Sequence, residues 1–237
     1  MDKAIAAAPG ARVPRGFGSA VIGSEFCAGL LPSPAEASAF NAAFGGRVLL
    51  ATPLLTDDAL DRVRALLRLY LREGRALEVI ANDVGLLETL RSSFRGKFKV
   101  SCGRLLANRM KLMPEPYAKD FIARYGITAF EVDDPAVLRR LKPYGLAFSW
   151  HYPLRYATVT RFCPWENRWA SGCSRSCAGF TMPLRSPRVP RTLWLAGCAY
   201  FIKGQGPRKS AARNVFDPPP PEVRSVPDPR KPGFHRI

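Results

Sequence analysis

The stretch RVLLATPLLTDDALDRVRALLRLYLREGRALEVIANDVGLLETLRSSFRGKFKVSC, residues 47–102, decides the fold class. It opens on RVLLA (47–51), an apolar run of strand length. Residues 57–73 then place Leu60, Val63, Leu67, Tyr70 and Leu71 on one helical face, with Thr56 as a cap and Gly74 as a stop. LEVIA (77–81) is a second strand, residues 83–92 a helix with Leu86, Leu87 and Leu90 inward, and FKVSC (98–102) a third strand. Strands separated by single helices are the pattern of βα units in a parallel sheet.

The pattern extends in both directions. Residues 19–22 read as a strand, 34–44 as a helix stopped by Gly45 and Gly46, 116–125 as a helix, 127–132 as a strand, 135–141 as a helix and 146–150 as a strand. A further strand is expected at 192–202 (TLWLAGCAYFI). That makes seven, and a closed barrel needs eight. The sequence therefore predicts a TIM-barrel-like parallel (β/α) barrel over residues 18–202, one strand short by this count: either the barrel is incomplete or an N-terminal piece that relatives have is lacking. An N-terminal arm (1–17) precedes it and a proline-rich basic tail (203–237) follows. Half of the 22 prolines lie between residues 183 and 232, including the run 218–221, which disfavours interior helix or central strand there.

Composition narrows the function classes. Apolar residues make up 47% of the 237, enough to bury a core. No apolar run reaches the roughly 18–20 residues of a membrane span. The alanine run at 4–8 is too brief for a secretory signal, so a cytoplasmic protein is expected. The net charge of +17 attracts polyanions such as nucleic acid, anionic membrane or acidic small molecules. Six cysteines in such a chain point to metal or redox chemistry rather than a disulfide frame. Three of them form Cys163-x9-Cys173-x3-Cys177, close enough to surround one metal centre. Spacing alone leaves open an iron–sulfur cluster, zinc or free thiols.

Several short motifs occur in order: Gly23-Ser24-Glu25-Phe26-Cys27 after an early strand, Ala81-Asn82-Asp83-Val84-Gly85, Gly103-Arg104-Leu105-Leu106-Ala107-Asn108, Glu131 closing a strand, His151-Tyr152-Pro153-Leu154, Arg161-Phe162-Cys163 and Cys173-Ser174-Arg175-Ser176-Cys177. The series resembles the collagenase-like peptidase family of uncertain mechanism, and within it the ubiquinone-biosynthesis iron–sulfur branch, the UbiV-like proteins. The resemblance covers residues 18–202. It implies a barrel fold and a [4Fe-4S] cluster held by Cys27, Cys163, Cys173 and Cys177. It also implies O2-independent hydroxylation of a small aromatic quinone precursor. The partner would be a related barrel protein in a heterodimer, or a second copy by self-association. Other relatives imply hydroxylation of RNA bases, so RNA is the alternative partner, and the +17 charge favours it. Peptidase activity, suggested by the family name, finds no Ser/His/Asp or Cys/His arrangement here.

Cys102, just past a strand end, is the reserve ligand, and Cys198, inside an apolar strand, is expected in the core. Glu25, Asn82, Asp83, Arg104, Glu131 and His151 all follow strands, where barrel active sites collect. Glu25 and Glu131 are candidates for acid–base or ligand-anchoring roles, His151 is a further catalytic-site candidate, Arg104 and Arg161 are the carboxylate clamps, and Asp83 a helix cap. The aromatic run of Trp150, Tyr152, Tyr156, Phe162, Trp165 and Trp169 is expected to shield the cluster, with base stacking as the other use.

Overall fold

The computed structural model describes residues 2–7, 11–169, 173–186 and 189–217. The chain begins with β1 (Asp2–Ala7) and β2 (Ser19–Gly23), then alternates through α1 (Pro34–Ala43), β3 (Arg47–Ala51), α2 (Asp57–Arg72), β4 (Leu77–Ala81), α3 (Val84–Ser93) and β5 (Lys99–Cys102). It continues through α4 (Arg104–Met110), α5 (Glu115–Tyr125), β6 (Ile127–Val132), α6 (Pro135–Leu141) and β7 (Ala147–Tyr152). An insertion follows, made of β8 (Leu154–Val159), β9 (Phe162–Cys163), β10 (Arg168–Trp169), β11 (Met182–Ser186), β12 (Val189–Ala196) and β13 (Ala199–Lys203). The chain then returns to the barrel as β14 (Arg213–Phe216). Eight parallel strands close in the order β1-β14-β7-β6-β5-β4-β3-β2. No helix is long and apolar enough to cross a membrane, among the described residues.

The helices start where the sequence supplies caps. Ser33 and Glu36 form a reciprocal capping box on α1, Thr56 caps α2, and Asp83 caps α3 by accepting from the Leu86 N–H. Asp83 is thus the cap expected of it.

The barrel is complete, which corrects the expected incompleteness and the expected boundaries. The seventh and eighth places are filled by Arg213–Phe216, from the expected tail, and Asp2–Ala7, from the expected arm. Both were hard to see. DKAIAA carries small residues because Ala4 faces a crowded barrel interior. RNVF is four residues long, and its arginine points inward. The apolar run 192–202 belongs to the insertion instead: Gly197, with φ +56°, breaks it into β12 and β13 of an antiparallel sheet ordered β11-β12-β13-β8. Closure leaves the barrel without edge strands, so the expectation that a partner covers an open edge loses its structural ground. The proline run at 218–221 and the second histidine, His235, lie outside the described residues.

Strand pleating sorts side chains to the two faces of the barrel wall. Ala4, Val21, Leu49, Ala51, Ile80 and Val215 form an inner apolar cluster. Residues one step out of phase, such as Val79, Val100, Cys102, Phe130 and Trp150, pack in the larger core shared with the helices. At the N-terminal end of the barrel, Arg213 donates from Nη2 to Glu78 Oε2 at 2.7 Å and from Nη1 to Oε1 at 3.1 Å. Ser101 Oγ also donates to Glu78, and Asp2 lies 3.5 Å from Arg213 and accepts from Ser19 Oγ at 2.7 Å. This network pins the seam where the chain's first and last barrel strands meet.

Removing one partner of a buried ion pair strands the other charge and costs about 3–5 kcal/mol. Arg213→Met is therefore expected to lower the unfolding free energy by about 3–5 kcal/mol, measured by urea titration followed by circular dichroism. A shift under about 1 kcal/mol would show that the pair behaves like an exposed one.

Candidate functional site

Two neighbouring arrangements occupy the C-terminal mouth of the barrel. The first is a chamber of thiols. Cys27 follows β2 and opens a short 3-10 turn, Ala28–Leu30. Cys163 ends β9, Cys173 and Cys177 lie in the loop before β11, and Cys198 sits in the β12–β13 turn. Cys27, Cys163 and Cys198 pack together with Leu30 and Trp165 around them. The Cys198 and Cys27 sulfurs are 3.4 Å apart. A Cβ on Gly29 would stand 2.8 Å from the Cys173 sulfur and 3.5 Å from that of Cys27, so those two sulfurs are no further apart than these distances together. Only glycine leaves that space to sulfur. Cys177 is buried near enough to Cys27, Cys173 and Cys163 for their charges to raise its thiol.

The insertion is fastened over Cys27 by polar contacts. Arg175, at φ +60°, donates to Gly29 O at 2.9 Å, Leu31 O at 2.8 Å and Glu36 Oε1 at 2.6 Å. Trp165 Nε1 donates to Gly197 O at 2.8 Å, and the Thr160 N–H to Cys198 O at 2.9 Å. Glu166 accepts from both the N–H and the hydroxyl of Ser174.

These surroundings split the thiols. The Cys198 thiol, against the cost of burial, and the Gly29 and Leu30 N–H groups pull Cys27 down to about 6. Burial and the charges of Cys27, Cys173 and Cys163 push Cys177 up to about 12. Contact with Cys27 and burial raise Cys198 as well. Among the described residues, no group of three or more His, Cys, Asp or Glu side chains is arranged to hold a single metal ion.

The second arrangement is an ionised floor. Arg104, at the start of α4, is buried among carboxylates from three other strand ends. Its backbone N–H and Nε donate to Glu25 Oε1 and Oε2, both at 2.6 Å. Its Nη1 donates to Asp217 Oδ2 at 2.8 Å and Asp133 Oδ2 at 3.4 Å. His151 lies between Glu131 Oε2, 2.8 Å from Nε2, and Asp217 Oδ1, 3.4 Å from Nδ1. Glu131 Oε1 is buried with no hydrogen-bond partner among the described residues. Burial and Arg104 work against a charged His151, but Asp217 and the Glu131 contact prevail and hold it up near 9. Burial raises Asp133 to about 6 against the pull of Arg104, whereas Arg104 and His151 keep Glu25 and Asp217 below their ordinary values despite burial. A cavity of about 290 Å³ opens on this floor, reached by Glu25, Arg104, His151 and Asp217, walled by Phe26 and Phe201, and bordered by Cys177.

The structure thus brings the four expected ligands Cys27, Cys163, Cys173 and Cys177 to one chamber, and Glu25, Arg104, Glu131 and His151 to the adjoining floor. Three expectations need correction. Cys102 is not on the rim: it faces the helices, its sulfur 3.5 Å from that of Met110, because Ser101 takes the inward position of that strand. Cys198 is beside Cys27 rather than in a strand core. Asn82 holds the floor together rather than facing the cavity. Its Nδ2 donates to Glu25 Oε1 and Thr52 O, and its Oδ1 accepts from the Leu105 N–H, across a space that only Gly103 keeps clear. Arg161 is exposed. Sequence reasoning missed Asp133 and Asp217. Asp133 follows Glu131 by two residues and so shares its inward phase; Asp217 stands at the end of a strand that was not recognised.

The raised His151 has a signed consequence. Its contribution to stability is complete below the unfolded value near 6.5 and is lost as pH rises through about 9. Relative to His151→Gln, the wild-type chain is expected to lose about 3 kcal/mol of advantage between pH 6.5 and 9.5 in urea titrations. An advantage that does not change with pH would refute an imidazolium held by Glu131 and Asp217.

No protein-family model, curated protein or solved structure matches this chain.

Proposed function

We propose that this protein holds a [4Fe-4S] cluster on Cys27, Cys163, Cys173 and Cys177 and takes part in O2-independent hydroxylation of a small aromatic ring of the quinone-precursor class, beside a related barrel subunit. The observation that carries the reading is the position of Cys177: one side chain belongs to the thiol chamber and borders the cavity whose floor holds Glu25, Arg104 and His151. Four thiols are a donor set that a four-iron cluster takes at its corners. Gly29 leaves room between two of the sulfurs, and its N–H with that of Leu30 supports a thiolate at Cys27.

The bound cluster supplies electron transfer. The chain's own residues do the rest. Phe26, Leu154, Phe180 and Phe201 wall the cavity and give an aromatic ring an apolar berth. Arg104 Nε and Nη1 are taken by Glu25, Asp133 and Asp217, so this arginine fixes the floor. Flanked by two carboxylates that occupy both ring nitrogens, His151 holds a proton at neutral pH and adds a positive charge to the cavity floor. Asp133, raised to about 6 by burial, is a second group on this floor able to exchange a proton near neutral pH. Both ring nitrogens of His151 face carboxylates rather than a hydroxyl or thiol among the described residues, so the arrangement lends no support to a serine or cysteine peptidase. The +17 charge favours a second reading in which the hydroxylated ring is an RNA base.

The test is anaerobic purification with iron and sulfide quantified and the visible spectrum recorded. About four irons per chain are expected in the wild type, and under one in Cys173→Ala/Cys177→Ala. Cells carrying that variant and grown without oxygen are expected to lose a hydroxylated quinone precursor. Loss of a hydroxylated RNA base instead, with salt-dependent RNA binding, selects the second reading. A wild type that never takes up iron overturns both.

A further inference from the structure

The fifth thiol of the chamber has no place among the four ligands. Cys198 reaches it from the β12–β13 turn, 171 residues along the chain from Cys27, yet the two sulfurs are 3.4 Å apart and both side chains are buried. Both are free thiols. The turn is held in place by Trp165 Nε1 on Gly197 O and by the Thr160 N–H on Cys198 O, so the approach is fixed by contacts outside the thiols themselves. A disulfide has its sulfurs about 2.05 Å apart, a closure that side-chain rotation can supply. Cys102, by contrast, sits on the outer face of the barrel wall and cannot reach the chamber.

We propose that Cys27 and Cys198 form an oxidation site, in which Cys198 captures Cys27 as a disulfide when hydrogen peroxide reaches the chamber. The step balances in two parts. Cys27 thiolate attacks the peroxide O–O bond, takes one oxygen to become a sulfenic acid, and releases water after protonation. Cys198 sulfur then attacks the sulfenic sulfur, the S–S bond forms, and the second water leaves with the Cys198 proton. Two electrons pass from the two sulfurs to the peroxide. With Cys198 at contact distance, Cys27 stops at the reversible stage, whereas an isolated sulfenic acid continues to sulfinic and sulfonic acids. The thiol chemistry stands on the contact alone; only its consequence, that a bridged Cys27 cannot hold a cluster until it is reduced, rests on the proposed function.

Trypsin releases all six cysteines on separate peptides, with Cys27 on residues 16–47 and Cys198 on residues 192–203. Full-length protein, purified without oxygen, is treated with hydrogen peroxide and mapped by mass spectrometry without reduction. The Cys27–Cys198 crosslink is expected to dominate, and dithiothreitol should remove it. In Cys198→Ser, iron content before peroxide is expected to match the wild type, while after peroxide Cys27 accumulates as sulfinic and sulfonic acid and iron no longer returns on reconstitution. Crosslinks that join Cys27 mainly to another cysteine, or irreversible oxidation of Cys27 in the wild type, overturn the proposal. So does a Cys198→Ser chain that cannot take up iron at all when the wild type does, because Cys198 would then be a ligand. If neither chain takes up iron, the proposed function fails while the crosslink still decides the thiol pair.

Discussion

A single buried guanidinium sets the geometry of the barrel mouth. Arg104 has little contact with water, and its charge is sustained only because Glu25, Asp133 and Asp217 surround it. Those carboxylates stand at the ends of three strands, and Asp217 is 113 residues away in the chain. Taking one away would leave a buried cation short of a partner, so the three strand ends are not free to drift. The faces of the guanidinium are covered as well, by Phe26 at 4.8 Å and Phe201 at 5.9 Å, one from the barrel and one from the insertion. Phe26 lies between Glu25, which faces Arg104, and Cys27, which faces the thiols. Glu25 and Phe26, both fixed on Arg104, therefore place the first cysteine.

The insertion does the complementary work. Where β2 to β6 are each followed by helix, β7 leads into an antiparallel sheet that folds over the mouth. Its apolar underside packs Leu154, Ala199 and Phe201 against Phe26. Its loops deliver four of the five chamber cysteines. Burial holds the sheet, while the directional contacts of Arg175 with Gly29, Leu31 and Glu36 register the Cys173–Cys177 loop against Cys27. Arg175 is partly exposed, so these contacts contribute less to stability than those of Arg104. Their part is alignment: without them the loop has few other reasons to meet the Cys27 turn.

Much of this architecture was legible in the sequence. Most strands and helices from residue 19 to residue 152 announced themselves because each buries an apolar stripe, and the caps at Thr56 and Asp83 stood where the periodicity began; α4, which carries Arg104, was hidden in a segment read as a turn. The two strands that close the barrel were not legible, because what they contribute inside is Ala4 and Arg213 rather than bulk. A charged residue inside a strand reads as a surface residue until its partner, Glu78, is known. At the site, residue type was a better guide than exact position. Glu25, Arg104, Glu131 and His151 were visible as polar residues at strand ends. Strict alternation from Glu131 would have added Asp133, and from Ser101 would have turned Cys102 outward. Cys198 was hidden by the apolar company of TLWLAGCAYFI, in which Gly197 was the signal of a turn.

The central claim is that thiols from the barrel and the insertion converge on one iron centre at the edge of the cavity. Anomalous diffraction at the iron absorption edge, from crystals grown and frozen without oxygen, addresses it directly. The account expects a compact group of iron peaks enclosed by Cys27, Cys163, Cys173 and Cys177, with none near Cys102. Crystals of the same protein without iron in that chamber, or with iron bound at the carboxylates around His151 instead, would contradict it.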